Sequence, residues 1–182
     1  VLVVPEEEFN FNRFLNYGLQ YSTKENICFS NNDVRYYPNS LIGLIEGLKT
    51  YDSVSPFAYG YSEGMNENSI SECYRVDKCF FGFCHCITKK AMNECFNGKF
   101  DEDFVFWYQD DDIIVTIKEK GFKHGLVGFS KVEHLQINGP RDAIVKGKGA
   151  NSYILFGDKQ YEHLWGQHHT MRKKWKKMLK YD

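Results

Sequence analysis

Apolar residues along this chain fall into two patterns, short continuous runs and stripes at helical spacing. Residues 1–4 (V-L-V-V) form a run closed by Pro5 and predict a buried strand edge. Residues 9–22 carry Phe11, Phe14, Leu15 and Leu19 at helical spacing, with Asn10 or Asn12 as cap and Gly18 inside. Residues 26–29 predict a strand that runs straight into Ser30-Asn31-Asn32-Asp33. Pro38-Asn39-Ser40 then opens an amphipathic helix with Leu41, Leu44, Ile45 and Leu48 on one stripe. Residues 54–61 predict a strand that Pro56 places near an edge or a bend, followed by a polar loop over 63–71.

The second half continues the alternation. Residues 79–87 are aromatic, free of charge and predict a central strand. Thr88 caps a helix through Phe96 that Asn97-Gly98 closes. Asp110, Asp111 and Asp112 open a helix carrying Ile113, Ile114 and Ile117 and stopped by Gly121. A strand over 124–129 and an extended segment over 132–135 lead to a Gly-rich basic loop over 138–150. Asp158 then caps a last helix with Tyr161, Leu164, Trp165, His168, Arg172, Trp175 and Leu179 at helical period. Strands alternating with helices predict an α/β fold with a mostly parallel sheet flanked by helices. The length suits one core over 1–157 with an appended basic amphipathic helix over 158–182.

Composition changes this picture little. A net charge of −1 over 182 residues excludes a protein that coats nucleic acid with its whole surface, and no nucleic-acid partner is expected. Fifteen Phe and twelve Tyr predict an aromatic core, and the Asn, Lys, Tyr and Phe richness suits an AT-rich coding genome, viral or phage. Six cysteines without a CxxC pair are expected to be reduced thiols in a cytoplasmic compartment. Cys84-His85-Cys86 suits a strand better than a zinc knuckle. No apolar run approaches the roughly 18 residues that cross a bilayer, and the first residues lack the pattern of a signal peptide.

Candidate chemistry centres on carboxylates. Three adjacent acids repel one another, and a helix N-terminus favours one or two of them by about 0.3–1 kcal/mol each. Asp33 sits at the C-terminal tip of a strand, where open α/β sheets bind ligands. If Asp33 meets the triplet, the pocket suits a hard cation such as Mg2+ or Mn2+, with one carboxylate left as a general base. The plain structural account is that Asp33 is a turn residue and the triplet caps a helix.

Three segments, taken in order, resemble the family 2 glycosyltransferases with the GT-A fold. They are F-N-F-N-R-F-L-N-Y-G-L, N-I-C-F-S-N-N-D-V, and G-F-C-H-C-I-T-K-K running on to F-D-E-D-F-V-F-W-Y-Q-D-D-D. The resemblance spans residues 3–134 and implies an inverting sugar transfer from a nucleotide-sugar donor to a glycan or other hydroxyl acceptor. It implies Asp110 as catalytic base, with Asp111 and Asp112 as supporting acids. Asp33, Asn31 and His134 are the implied ligands of Mn2+ or Mg2+, and Asn16, Gly82 and Trp107 the implied contacts to donor or acceptor. The chain departs from the family at Gln109, where an acid is expected, and at Asn31-Asn32, which replace part of the DxD-type motif. It opens at about the third strand of the family's pattern, which implies a GT-A unit incomplete at the N-terminus, lacking the β-α-β part. A non-catalytic carbohydrate- or nucleotide-binding module of the same fold is the alternative. The C-terminal R-K-K-W-K-K-M-L-K reads either as a solvated helix end or as a peripheral contact with anionic lipid.

Overall fold

The computed structural model describes residues 8–135 and 159–175. The strand expected at residues 1–4, the loop at 138–150, the cap at Asp158 and the basic residues Lys176, Lys177 and Lys180 lie outside them. The elements in chain order are α1 (Phe11–Gln20), β1 (Asn26–Ser30), β2 (Val34–Tyr36), α2 (Ser40–Gly47), β3 (Ser53–Ala58) and β4 (Ile70–Glu72). They continue with β5 (Cys84–Thr88), α3 (Lys89–Phe96), α4 (Gln109–Glu119), β6 (His124–His134) and α5 (Gln160–Lys174). None of these helices is long and apolar enough to cross a membrane.

Six strands form one mixed sheet in the order β1-β5-β3-β6-β2, with β4 also on β6. Only β3 and β6 run parallel; β1/β5, β3/β5, β2/β6 and β4/β6 are antiparallel. The expectation of a mostly parallel sheet is therefore corrected. Alternating strands and helices suit both directions, and only long-range pairing decides between them. Helices cover both faces. Ile87 joins α3, α4 and α5 around Phe80, Met92, Phe100, Phe104, Ile113 and Met171. Its neighbour Cys86 faces the other way, with Leu44 of α2, Val54 and Val127.

Local signals are realised closely. Asn10 caps α1 by accepting from the Arg13 amide at 2.9 Å. Thr88 caps α3 through the Ala91 amide, and Asn97 and Gly98 close that helix at positive φ. Other expectations shift. In α2 the stripe of Leu41, Leu44, Ile45 and Leu48 is divided, with only Leu44 and part of Leu48 toward the sheet. Leu41 is 51% and Ile45 53% exposed, and the buried face is Ser40, Gly43, Leu44 and Gly47. The small residues win because the helix lies close on β6: a Cβ at Gly47 would stand 2.6 Å from Val127 Cγ2. Strand 79–87 shortens to β5, because residues 75–80 turn back, the Arg75 carbonyl accepting from Cys79 and Phe80. That turn brings Cys73 to Cys79, Cα to Cα 6.1 Å, and the two are joined by a disulfide. The expectation of six reduced thiols is corrected accordingly. Pro56 lies in an interior strand, at a register break rather than an edge.

The C-terminal helix packs on the core. Gln167 and Met171 are buried and Trp165 is exposed, while His168 and Trp175 of the expected stripe face inward, so the inward face overlaps the expected stripe only in part.

Candidate active site

β6 sets the geometry of the site. Its first half pairs with β3 in register Ser53↔His124 through Pro56↔Val127, and then the register jumps to Phe57↔Lys131. The break includes Gly128, whose amide donates to the Ser69 carbonyl and where a Cβ would stand 2.0 Å from the Asn66 carbonyl oxygen. Only glycine permits that approach. Beyond the break, β6 pairs with β2, Val34 opposite His134, and the Leu135 amide donates to the Asp33 carbonyl. Asp33 Oδ1 thereby lies 3.2 Å from His134 Nε2, both side chains largely buried. Two of the three expected metal ligands are thus adjacent. Asn31 is in the same loop, its amide donating to the Phe83 carbonyl at 2.8 Å.

Residues 82 and 83 connect this pair to the acid triplet. The Phe83 ring stacks on His134 with centroids 4.3 Å apart, and Tyr61 packs against both. The neighbouring Gly82 amide donates to Asp110 Oδ2 at 3.0 Å. A Cβ on Gly82 would stand 2.0 Å from Asp110 Oδ1, so the carboxylate occupies the space a side chain would fill. Asp110 Oδ1 is buried and has no hydrogen-bond partner. Burial raises the Asp110 pKa to about 7. The Gly82 amide opposes that shift, and the charges of Asp111 and Asp77 reinforce it.

The triplet divides three ways. Asp110 turns to Gly82. Asp112 is 2% exposed and accepts from Trp175 Nε1 at 2.6 Å and Lys174 Nζ at 2.9 Å. It docks α5 through Lys174 and Trp175 of the basic C-terminal stretch. Asp111 is half-buried, its pKa raised by burial and by Asp77 and Asp112. Helix α4 has no side-chain cap; Tyr108 takes that position at φ 61°, a strained conformation for a bulky residue.

Two of the expected ligand contacts face other work. Asn16 is buried, its amide donating to the Phe100 carbonyl and to Glu102 while its oxygen accepts from the Phe100 amide. Asn12 and Asn10 donate to the carbonyls of Asp101 and Glu102. The asparagines of α1 are therefore clasps on residues 100–102. The Trp107 amide donates to Gln167 Oε1 at 2.9 Å, as does that of Phe106, which ties the approach to α4 onto α5. Gly82 lies directly against Asp110.

A cavity of about 530 Å3 lies on the other side of the triplet, lined by Phe100, Asp112, Thr116, Lys120, Lys174 and Trp175, and Asp110 is not in its wall. Phe83 and Tyr61 were not expected at the site. An aromatic after a glycine in an aromatic run carries no signal that separates a site wall from core. No family model matches the chain, and no curated protein is similar enough to count as a relative.

Proposed function

We propose that this chain is an inverting glycosyltransferase, moving a sugar from a nucleotide-sugar donor to a hydroxyl acceptor with Asp110 as the general base. The observation that carries the reading is Asp110 itself. It is a carboxylate held through one oxygen by Gly82, with its other oxygen buried and unpartnered and its pKa near neutrality. A base with that pKa is matched to taking a proton from a hydroxyl near pH 7. Asp110 Oδ1 accepts the acceptor's proton as the acceptor oxygen attacks the anomeric carbon. The bond to the nucleoside diphosphate breaks on the opposite face, and a single displacement inverts that carbon.

The residues present fit a divalent cation. Asp33 Oδ1 and His134 Nε2, 3.2 Å apart, are an oxygen and a nitrogen donor at a spacing two ligands of one ion can share. Tyr61 Oη lies 3.4 Å from His134 Nδ1; accepting from it, Tyr61 leaves Nε2 with its lone pair. Among the described residues no group of three or more His, Cys, Asp or Glu side chains could hold a metal ion. Asp33 and His134, with Asn31 beside them, would hold a Mg2+ or Mn2+ ion, which would supply positive charge against the departing diphosphate.

Two measurements test the reading. Calorimetry with UDP-, GDP- and dTDP-sugars in the presence of Mn2+ is expected to give binding of one donor that Asp33→Ala and His134→Ala weaken. Asp110→Asn is expected to bind that donor while transfer falls roughly 10²–10⁴-fold. No donor bound across the panel overturns the proposal. Donor binding with no turnover by the unaltered chain replaces it with the non-catalytic binding module.

A further inference from the structure

Three cysteines outside the carboxylate site share one face of the sheet edge. In the β1/β5 ladder the Lys89 amide donates to the Glu25 carbonyl and the Asn31 amide to the Phe83 carbonyl. These are hydrogen-bonded pairs of an antiparallel ladder in which Cys28 lies opposite Cys86. Counting inward from either end makes Cys28/Cys86 a non-hydrogen-bonded pair. In such pairs the Cα atoms are about 4.5 Å apart and the side chains closest. That separation falls within the range of about 4.4–6.8 Å that a disulfide spans. Cys84 is diagonal to Cys28, where Cα atoms are about 7–8 Å apart, and its sulfur lies 3.2 Å from the Tyr36 hydroxyl.

Access and reactivity are divided between the partners. Cys28 is exposed on an edge strand, whereas Cys84 and Cys86 are buried. The Tyr36 hydroxyl lies 3.8 Å from the Cys28 sulfur, and the thiols of Cys84 and Cys86 share its face of the sheet. They draw its pKa well below that of an ordinary thiol and raise those of Cys84 and Cys86. The exposed sulfur carries the charge, and the protected ones hold the protons.

We propose that Cys28 and Cys86 are a redox pair, which a low-molecular-weight disulfide converts to a cross-strand bridge with Cys28 as the point of entry. The Cys28 thiolate attacks one sulfur of the small disulfide and expels the first small thiolate, leaving a mixed disulfide. Cys86 gives up its proton and attacks Cys28 Sγ, expelling the second. Two protein sulfurs are oxidised and one small disulfide is reduced to two thiols; Cys86 supplies one of their protons and solvent the other. The bridge staples the edge strand β1 to β5. Nothing in this depends on sugar transfer.

Oxidised glutathione tests it on the folded chain, followed by alkylation and peptide mass mapping. The expected product is a Cys28–Cys86 linked peptide, with Cys84 and Cys95 still alkylated. Cys86→Ser is expected to stop at one glutathione on Cys28, and Cys28→Ser to take up none. Before oxidation, N-ethylmaleimide is expected to modify Cys28 roughly tenfold faster than the buried Cys95. An unmodified Cys28 in excess oxidised glutathione, or a bridge from Cys28 to Cys84, overturns the proposal. Mapping and alkylation of the unaltered chain decide the matter even if Cys86→Ser does not fold.

Discussion

Gly82 has no side chain, and Asp110 occupies the space. Gly82→Ala would put a methyl 2.0 Å from Asp110 Oδ1, and the carboxylate must move for the chain to fold. Transfer is expected to fall about as far as in Asp110→Asn, while overpacking lowers stability by roughly 1–3 kcal/mol; kinetics and thermal melts of the two variants side by side check this. Asp110 also has a cost that pH reveals. Its folded pKa, about 7, lies above the unfolded value of a carboxyl. Below about pH 4 both states are protonated and nothing is lost; as pH rises toward 7 the unfolded chain ionises first and the fold is penalised. Asp110→Asn is therefore expected to melt higher than the unaltered chain at pH 8, with the difference shrinking toward pH 4. A difference independent of pH would contradict the raised pKa.

At the scale of elements, α1 earns its place through asparagines. Asn16 spans the Phe100 amide and carbonyl from 84 positions away and is buried while doing so. Asn16→Ala leaves that backbone amide and carbonyl unpaired, at roughly 1–3 kcal/mol for each buried polar group. The expected result is a lowered melting temperature and loosened residues 100–102, read as faster amide exchange there. Loss of activity is expected to follow only as far as stability does, since the bonds of Asn16 go to Phe100 and Glu102. Helix α2 shows the opposite economy. Its Leu41, Ile42 and Ile45 are exposed because Gly43 and Gly47 face the sheet, so close approach outweighs the burial those larger side chains would gain.

For the whole molecule, two fully buried histidines set the acid limit. His85 lies between Phe29 and Phe80, and His124 is held by Ser53 and the Cys79 carbonyl. Burial lowers their pKa values to about 4 and about 3, so both are neutral in the fold. The unfolded chain takes up these protons near pH 6.5 and the folded chain does not, so stability is full above that pH and falls as pH drops toward 4. The loss is on the order of 3 kcal/mol for each histidine. Acid titration followed by circular dichroism is expected to show unfolding beginning between pH 6 and 4, and His124→Gln is expected to shift its onset to lower pH. Since Asp110 pulls the other way, the stability optimum lies near neutrality.

Features governed by residues within about four positions of each other were legible in the sequence. The Asn10 and Thr88 caps, the Asn97-Gly98 and Gly121 stops and the acids in the first turn of α4 all stand where local hydrogen bonding and backbone freedom require. So does the break that Pro56 makes in its strand. Strand direction was not legible, because alternation of strands and helices leaves the pairing open. The face α2 buries depends on how near β6 comes, and the roles of Asn12 and Asn16 depend on a loop more than 80 positions away. Candidate chemistry divides along the same line. Residue type singled out Asp33 and the Asp110–Asp112 triplet for a cation and a proton, and the family resemblance added His134 and Gly82. Only the bend of β6 set Asp33 against His134, only the absent Cβ seated Asp110 on Gly82, and only the β1/β5 register set Cys28 opposite Cys86. Each is a contact across tens of residues, and chain packing rather than local propensity decides it.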